Sequence, residues 1–339
     1  MAKRALVTGG AGFIGSHVAE AFIAHGFDVT VIDNLSTGKR ENLPPGASFH
    51  ELDVAAPETA RVVREGKFDA IAHLAAQIDV RKSVVDPLYD AQVNILGTIN
   101  LLEATRASGA PTRFVFSSTG GAIYGDAVTP PSPEGFPKDP ESPYGIAKLS
   151  SELYMAYYSR VFGLDTVALR YANVYGPRQD PHGEAGVVAI FCNRLLEGRS
   201  LSVFGDGGQT RDYVFVKDVA RANLAAVTRS LPPAGLLDAR GFNIGTGIET
   251  SVNALARALQ GAAGSSAALD HLPARPGECQ RSAVNIAKAA SGLGWRPEVA
   301  LEAGLAETYA YFAGRQPSPL AALAIFTAER WHSPGRAGR

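Results

Sequence analysis

The chain has 339 residues, 46% hydrophobic and 19% charged, which is enough apolar content for a full core and for two lobes. A formal net charge of −1 provides no basic field for a phosphate backbone, so nucleic acid is not an expected partner. Two cysteines, Cys192 and Cys279, stand far apart without flanking histidines, which excludes a disulfide framework or a zinc site and fits a reduced, cytoplasmic compartment. The N-terminal MAKRALVTGG reaches glycine too soon for a signal-peptide core. No apolar run approaches the roughly eighteen residues of a membrane span, and no membrane partner is expected.

The first β-rich run is RALVT (4–8), and Ile14, Val18, Ala21 and Phe22 follow it at helical spacing. Further strand-like runs are DVTVID (28–33), ASFHELD (47–53), DAIAHLA (69–75), RFVFSS (113–118) and DTVALR (165–170), with helical patterns such as Ile95, Ile99 and Leu102 between them. This alternation predicts an α/β fold in which a doubly wound parallel sheet is covered on both faces. After residue 172 the chain turns to long loops, YGPRQDPHGEAG (175–186) and FGDGGQTRD (204–212), the texture of a smaller α/β binding lobe. YVFV (213–216) and RGFNIG (240–245) are expected to return to the sheet. The predicted organisation is therefore a first domain at 1–172, partly completed by 213–245, a second lobe at 173–315, and a tail at 316–339 of helix and frayed coil.

TGGAGFIGSH (8–17) places Gly9, Gly12 and Gly15 between a strand and an amphipathic helix, where glycine otherwise costs stability. Gly9 permits the tight turn, Gly12 lets a pyrophosphate approach the backbone, and Gly15 lets the helix pack on the sheet. The helix N-terminus then offers unpaired N–H groups to that phosphate. Asp33 ends the next strand, where its carboxylate can accept from the adenosine ribose hydroxyls and repel a 2′-phosphate. A Rossmann-type sheet that binds NAD rather than NADP is predicted.

Tyr-x-x-x-Lys, a pairing of phenol and amine suited to proton transfer, occurs twice, at Tyr144/Lys148 and Tyr213/Lys217. Residues four apart share one face of a helix but stand about 13 Å apart along a strand. Tyr213-Val-Phe-Val-Lys217 reads as strand and is rejected. Ser142 is a natural N-cap and Pro143 a natural first helical residue, so Tyr144 falls in a first helical turn with Lys148 beside it. A phenol near pKa 10 needs its anion stabilised to act as a base, and Lys148 and the helix N-terminus both act in that direction. RFVFSS delivers Ser117, Ser118 and Thr119 at a strand's C-terminal end, where a hydroxyl can assist that proton transfer.

With DNLSTG (33–38), LDV (52–54), LAAQ (74–77), NILGT (94–98), FSSTGGAIYG (116–125) and PYGIAK (143–148) following in order, the chain resembles the extended short-chain dehydrogenase/reductase family over roughly residues 1 to 300. The resemblance implies NAD contacts from Gly9, Gly12, Phe13, Ile14, Gly15, Asp33, Asn34, Ser36 and Gly38. Asp53 and Val54 would meet the adenine, Leu74, Ala75, Ala76 and Gln77 the pyrophosphate and ribose, and Asn94, Ser117, Tyr144, Lys148 and Tyr171 the nicotinamide end. Tyr144 and Lys148 would be catalytic together with a hydroxyl. Counting from Phe116 makes that hydroxyl Thr119, and the extra residue in Gly120-Gly121 keeps Ser118 as the alternative. No metal is implied.

Dehydratases of this family carry Asp-Glu after that hydroxyl, whereas Gly120, Gly121 and Ala122 stand here, so the resemblance narrows to nucleotide-sugar 4-epimerases. It implies transient oxidation at C4 of a UDP-sugar of the glucose series with a tightly held NAD. Asn173, Val187, Val188, Ser202, Phe204, Gln209, Arg211, Arg275, Glu278 and Ser282 would bind the substrate, the two arginines at its diphosphate. The small Ser282 implies room for an N-acetyl group, while a uronic acid would need Arg81, Lys82 or Arg178. A reductase or dehydratase without its acid pair, and a non-catalytic NAD-binding regulator, are the competing readings. The resemblance further implies a homodimer through helices starting near residues 94 and 144, with Tyr154, Tyr157, Tyr158 and Val161 at its face.

Overall fold

The computed structural model describes residues 2–126, 129–181, 186–275 and 279–315, so Glu278 and the tail from 316 lie outside the described residues. The first half alternates strand and helix: β1 (Arg4–Thr8), α1 (Phe13–Ala24), β2 (Asp28–Asp33), β3 (Ser48–Glu51), α2 (Pro57–Gly66), β4 (Ala70–His73), α3 (Val80–Val85), α4 (Pro87–Ala91), α5 (Gly97–Ser108), β5 (Arg113–Thr119), α6 (Pro143–Phe162) and β6 (Asp165–Tyr171). Ala5, Leu6 and Val7 of β1 and Val29, Val31 and Ile32 of β2 are all buried, because helices cover both faces; such strands read as continuous apolar runs. Between α4 and α5, residues Gln92–Leu96 take a π-helical pitch without leaving the helical path.

The second half comprises β7 (Asn173–Tyr175), α7 (Val187–Leu196), β8 (Leu201–Phe204), β9 (Thr210–Arg211), β10 (Tyr213–Phe215), α8 (Val216–Thr228), β11 (Gly241–Ile244), β12 (Thr250–Ser251), α9 (Val252–Ala263), β13 (Leu269–Leu272), α10 (Ala287–Gly292) and α11 (Leu301–Gly314). The main sheet is parallel, in the order β11-β6-β5-β4-β1-β2-β3. Its winding reverses between β1 and β4, which opens a crevice at the C-terminal ends of those two strands.

Of the two segments expected to return to this sheet, one does: β11 pairs with β6. Tyr213–Phe215 instead pairs with β7 in a separate two-stranded sheet. Helix α8 begins at Val216, and Tyr213, Phe215 and Val216 are drawn into a second core with Tyr175, Val188, Phe191, Leu255 and Leu305. Further along α8, which packs on α1, Ala220 and Leu224 join the core of α1, β1 and β2. No described helix is long and apolar enough to cross a membrane.

Candidate active site

The crevice is built around glycines that nothing larger could replace. Gly9 has φ +70, and a Cβ there would lie 2.6 Å from the Ala75 nitrogen of the loop after β4. A Cβ on Gly15 would lie 2.1 Å from the Gly9 carbonyl oxygen, so the turn and α1 touch backbone to backbone. Gly12 precedes α1 without supplying a side-chain cap, and the first turn holds no acidic residue. The leading N–H groups of α1, at Phe13 and Ile14, therefore face the turn open to an anion, which fits a dinucleotide pyrophosphate.

Asp33 is buried at the end of β2, where its Oδ2 accepts from the Ala11 amide at 3.0 Å and its Oδ1 from the Leu35 amide at 2.8 Å. These bonds leave lone pairs for a ribose diol. A Cβ on Gly38 would come within 2.7 Å of the Asp33 carboxylate, so glycine keeps that carboxylate uncovered. Beside it, Asn34 donates to Asp53 at 2.9 Å and accepts from the Ser36 amide at 3.1 Å, with Val54 buried next to Asp53.

The opposite wall hangs on a buried chain of hydrogen bonds that local sequence patterns do not announce. The Thr98 hydroxyl donates to the Asn94 carbonyl at 2.7 Å, so its oxygen is left to accept from His73 Nε2 at 3.0 Å. His73 Nδ1 then accepts from Thr8 at 2.8 Å, and the Thr8 oxygen accepts from the Ala75 amide at 3.3 Å. Burial, followed by the charge of Lys148, pushes the His73 pKa down to about 3, and the ring is neutral. Asn94 ties in the rest of the wall: it accepts from the Gln77 amide at 3.1 Å and donates to the Gln77 carbonyl at 2.9 Å. Leu74, Ala75, Ala76 and Gln77 are thus braced against the π-helical segment.

Ser142 caps α6 by accepting from the Gly145 amide at 3.1 Å, and Pro143 is its first residue. The Tyr144 amide donates to the Ser83 hydroxyl of α3 at 3.2 Å, which seats the start of α6. One turn on, Lys148 Nζ lies 5.8 Å from the Tyr144 ring centre and donates to the Ser117 carbonyl at 2.9 Å. Burial lowers the Lys148 pKa to about 8, against the raising effect of Asp90 and Glu152. Burial and then the Asp90 charge raise that of Tyr144, so the phenol becomes a base only when positive charge is added beside it. The second Tyr-x-x-x-Lys is no pair: Tyr213 is buried on β10, while Lys217 on α8 bonds Glu307 at 2.7 Å.

Strand alternation separates the two candidate hydroxyls. Phe114, Phe116 and Ser118 share the face of β5 toward α6, where Ser118 donates to Glu152. Glu152 is buried and held by Arg170, whose Nη2 reaches its Oε2 at 2.6 Å; Arg170 also binds Asp238 at 2.7 Å and the Tyr124 hydroxyl at 3.1 Å. Ser118 is thus committed to the interior. Thr119 ends the strand half-buried on the other face.

In the second lobe, residues 202–211 gather the expected substrate contacts around β8. The Arg275 guanidinium stacks 3.7 Å from the Phe204 ring centre, the Gln209 amide donates to the Phe204 carbonyl at 2.9 Å, and Ser282 donates its amide to the Thr210 carbonyl at 3.2 Å. Ser202 pairs with Asp270 of β13, Arg211 donates to the Thr210 carbonyl at 2.8 Å, and Asn173 lies on β7. Other expected residues are engaged within the chain. Gln209 is buried and spends its side chain on the loop, and Val188 faces the second core, leaving Val187 half-buried at the start of α7. The Tyr171 hydroxyl accepts from Asn223 of α8 at 2.8 Å. Arg178 is paired to Glu20 and donates to Ser16 at 3.0 Å, so it is no cation for a uronic acid. Tyr158 is part of the intrachain core, whereas Tyr154, Tyr157 and Val161 are exposed.

An uncapped helix at the switch point of a doubly wound sheet, with a phenol on the first turn of α6 and an ammonium one turn on, defines a dinucleotide-dependent enzyme of the hydride-transfer class. Residues 5–245 match the NAD dependent epimerase/dehydratase family, and the chain belongs to that family. It is 44% identical over 314 residues to a UDP-glucose 4-epimerase of Mycolicibacterium smegmatis, covering 91% of this chain and 98% of that one. Among solved structures it resembles the Thermotoga maritima UDP-glucose 4-epimerase with UDP-glucose, at 47% identity and TM-score 0.88, covering 93% of this chain and 100% of that one. It also resembles the Thermus thermophilus UDP-glucose 4-epimerase in complex with NAD, at 44% identity and TM-score 0.84, covering 92% of this chain and 99% of that one.

Proposed function

We propose that the chain is an NAD-dependent UDP-sugar 4-epimerase that interconverts UDP-glucose and UDP-galactose. The observation that carries this reading is the pairing of Tyr144 and Lys148 with a bare position after Thr119. A Cβ on Gly120 would lie 2.7 Å from Val284 and 3.2 Å from the Arg170 carbonyl oxygen, so that position admits no acid for eliminating water. Bound NAD supplies the hydride acceptor and donor, and its nicotinamide charge.

Tyr144, as phenolate beside Lys148, takes the proton of the sugar 4-hydroxyl and later returns it. Thr119 holds that oxygen in line by hydrogen bonding. Arg211 and Arg275 bind the diphosphate, and Phe204 presents a ring with Arg275 across it. Holding the nucleotide end alone leaves the keto sugar free to turn its other face to the cofactor before reduction.

Incubation of the protein with UDP-glucose should yield UDP-galactose by NMR, with no net rise in NADH absorbance; a stoichiometric rise would make the chain a dehydrogenase. Ser282 is small and half-buried, which supports an N-acetylglucosamine arm in the same assay. Thr119→Ala should lower kcat by about 100-fold. Ser118→Ala should retain most activity and lose stability by about 1 kcal/mol; the opposite ranking in steady-state kinetics would reinstate Ser118.

Two organisational readings complete the proposal. A first domain at 1–172, partly joined by 213–245, and a substrate lobe at 173–315 are supported by the separate second core. A homodimer through the α4-to-α6 face is supported by exposed Leu88, Leu96, Leu153, Tyr154, Tyr157 and Val161.

A further inference from the structure

The first turns of α1 grip the chain that leads into the second lobe. Phe13 and Ile14 pack against the second core, although their N–H groups are the ones offered to the pyrophosphate. One turn on, buried His17 donates from Nε2 to the Pro177 carbonyl at 3.0 Å. Arg178 reaches back to the same helix: its Nη1 donates to the Ser16 hydroxyl at 3.0 Å, and its Nη2 pairs with Glu20. Two successive loop residues are thus fastened to the cofactor-binding helix across 160 and 162 residues of chain.

The backbone at that point is held in a conformation it would not choose. Arg178 has φ +71, in the left-handed region that residues other than glycine rarely enter. Lys67 also has a positive φ, but it caps α2, where such a turn is ordinary, whereas Arg178 ends no helix. Just before it, Gly176 has φ +150, and a Cβ there would lie 2.5 Å from Val216, so the loop is pressed onto the start of α8. Strain of this kind persists only where surrounding contacts over-determine it, and it gathers at ligand clamps and switches. The loop directly follows β7, which carries Asn173; the Asn173 amide donates to the Asp212 carbonyl at 2.8 Å, next to Arg211. Beyond the loop the chain continues to Val187 at the start of α7.

We infer that Arg178 is a positioning residue, a latch closed on Ser16 and Glu20 that sets where the substrate lobe stands against the cofactor-binding helix. The inference rests on the proposed binding of the UDP end by that lobe. With the latch closed, one lobe position is populated and the nucleotide meets its contacts ready made. Without it the lobe spreads over several positions, and the apparent affinity falls by the fraction that is still competent. Substrate, once bound, restores the position and reacts at the former rate. The loss is therefore confined to binding.

Arg178→Gly tests this, because glycine takes a positive φ without strain and only the side chain is lost. Its KM for UDP-glucose, and its Kd for UDP by calorimetry, should both rise about tenfold, with kcat within about threefold of the parent. Glu20→Ala removes the other half of the latch at a residue 40% exposed and should reproduce the rise. The double variant should bind UDP no more weakly than either single one, since both substitutions open one contact. A residue that merely shaped the loop would give unmoved constants, because glycine eases the turn. Unmoved constants, a fall in kcat alone, or losses that add in the double variant overturn the inference. Should Arg178→Gly fail to fold, Glu20→Ala decides by the same two constants. A parent that binds UDP no better than its variants sinks the latch alone, whereas a parent that binds no UDP sinks the substrate reading with it.

Discussion

Tyr144→Phe is expected to lower kcat by about 1,000-fold, the middle of the range that a positioned acid–base group contributes. The substitution removes one oxygen and keeps the ring beside Lys148. The start of α6 depends on the Ser142 cap, on Pro143 and on the Tyr144 amide bond to Ser83, none of which involves the phenol. NAD binding and the thermal midpoint should therefore stay near those of the parent. Turnover of UDP-glucose followed by NMR, together with cofactor titration and a melting curve, separates the outcomes. Activity within tenfold of the parent would remove Tyr144 from the chemistry.

The largest stability effect is expected at Arg170. Its side chain is fully buried and joins Glu152 of α6 to Asp238, to Tyr124 and to the Glu134 carbonyl, so β6, α6 and the segment after β5 meet on one guanidinium. Arg170→Met leaves Glu152 charged in the interior and should cost about 3–5 kcal/mol of unfolding free energy. Adding Glu152→Leu should recover most of that loss, because the burden is the stranded charge and not the missing attraction. Urea unfolding of the two single variants and the double variant closes the cycle. A single-variant loss below about 1 kcal/mol would mean that water reaches Glu152. Because Glu152 lies one turn beyond Lys148, Arg170→Met should also lower activity in the protein that remains folded.

Both experiments probe the same architectural fact. A polar layer of Lys148, Glu152 and Arg170 runs beneath the crevice, with Glu152 matched by Arg170 and Lys148 donating to the Ser117 carbonyl. Rigid, satisfied networks of this kind hold a catalytic helix start in place while the opposing lobe adjusts to the substrate. The Arg275–Phe204 stack belongs to that second lobe, where side chains arrange themselves on one another.

Chemistry confined to neighbouring residues was legible in the sequence. The spacing of Gly9, Gly12 and Gly15, Asp33 at a strand end, the Ser142-Pro143 helix start and the placing of Lys148 one turn after Tyr144 all follow from torsional limits and helical periodicity, which act over a few residues. The strands of the main sheet were legible for the same reason. Arg170 left a faint signal, a lone cation in an otherwise apolar strand, and Glu152 another, one turn beyond Lys148 on the buried face of α6.

What only the tertiary structure decided depends on partners distant in sequence. The Ser118 hydroxyl is taken by Glu152, 34 residues away, and Arg170 meets Asp238 across 68. His73 meets Thr8 across 65 residues and Thr98 across 25, and Arg178 is captured by Glu20 across 158. A strand's alternation fixes two faces without saying which one a helix will cover, so the count from Phe116 favoured Thr119 while Ser118 stayed as the alternative until α6 was in place. Likewise, Tyr213–Phe215 has a strand's composition, yet the early start of α8 and the pull of the second core decided which sheet it joined. Local sequence sets the torsions and the periodicity; burial, which depends on the whole fold, decides which polar groups must find each other.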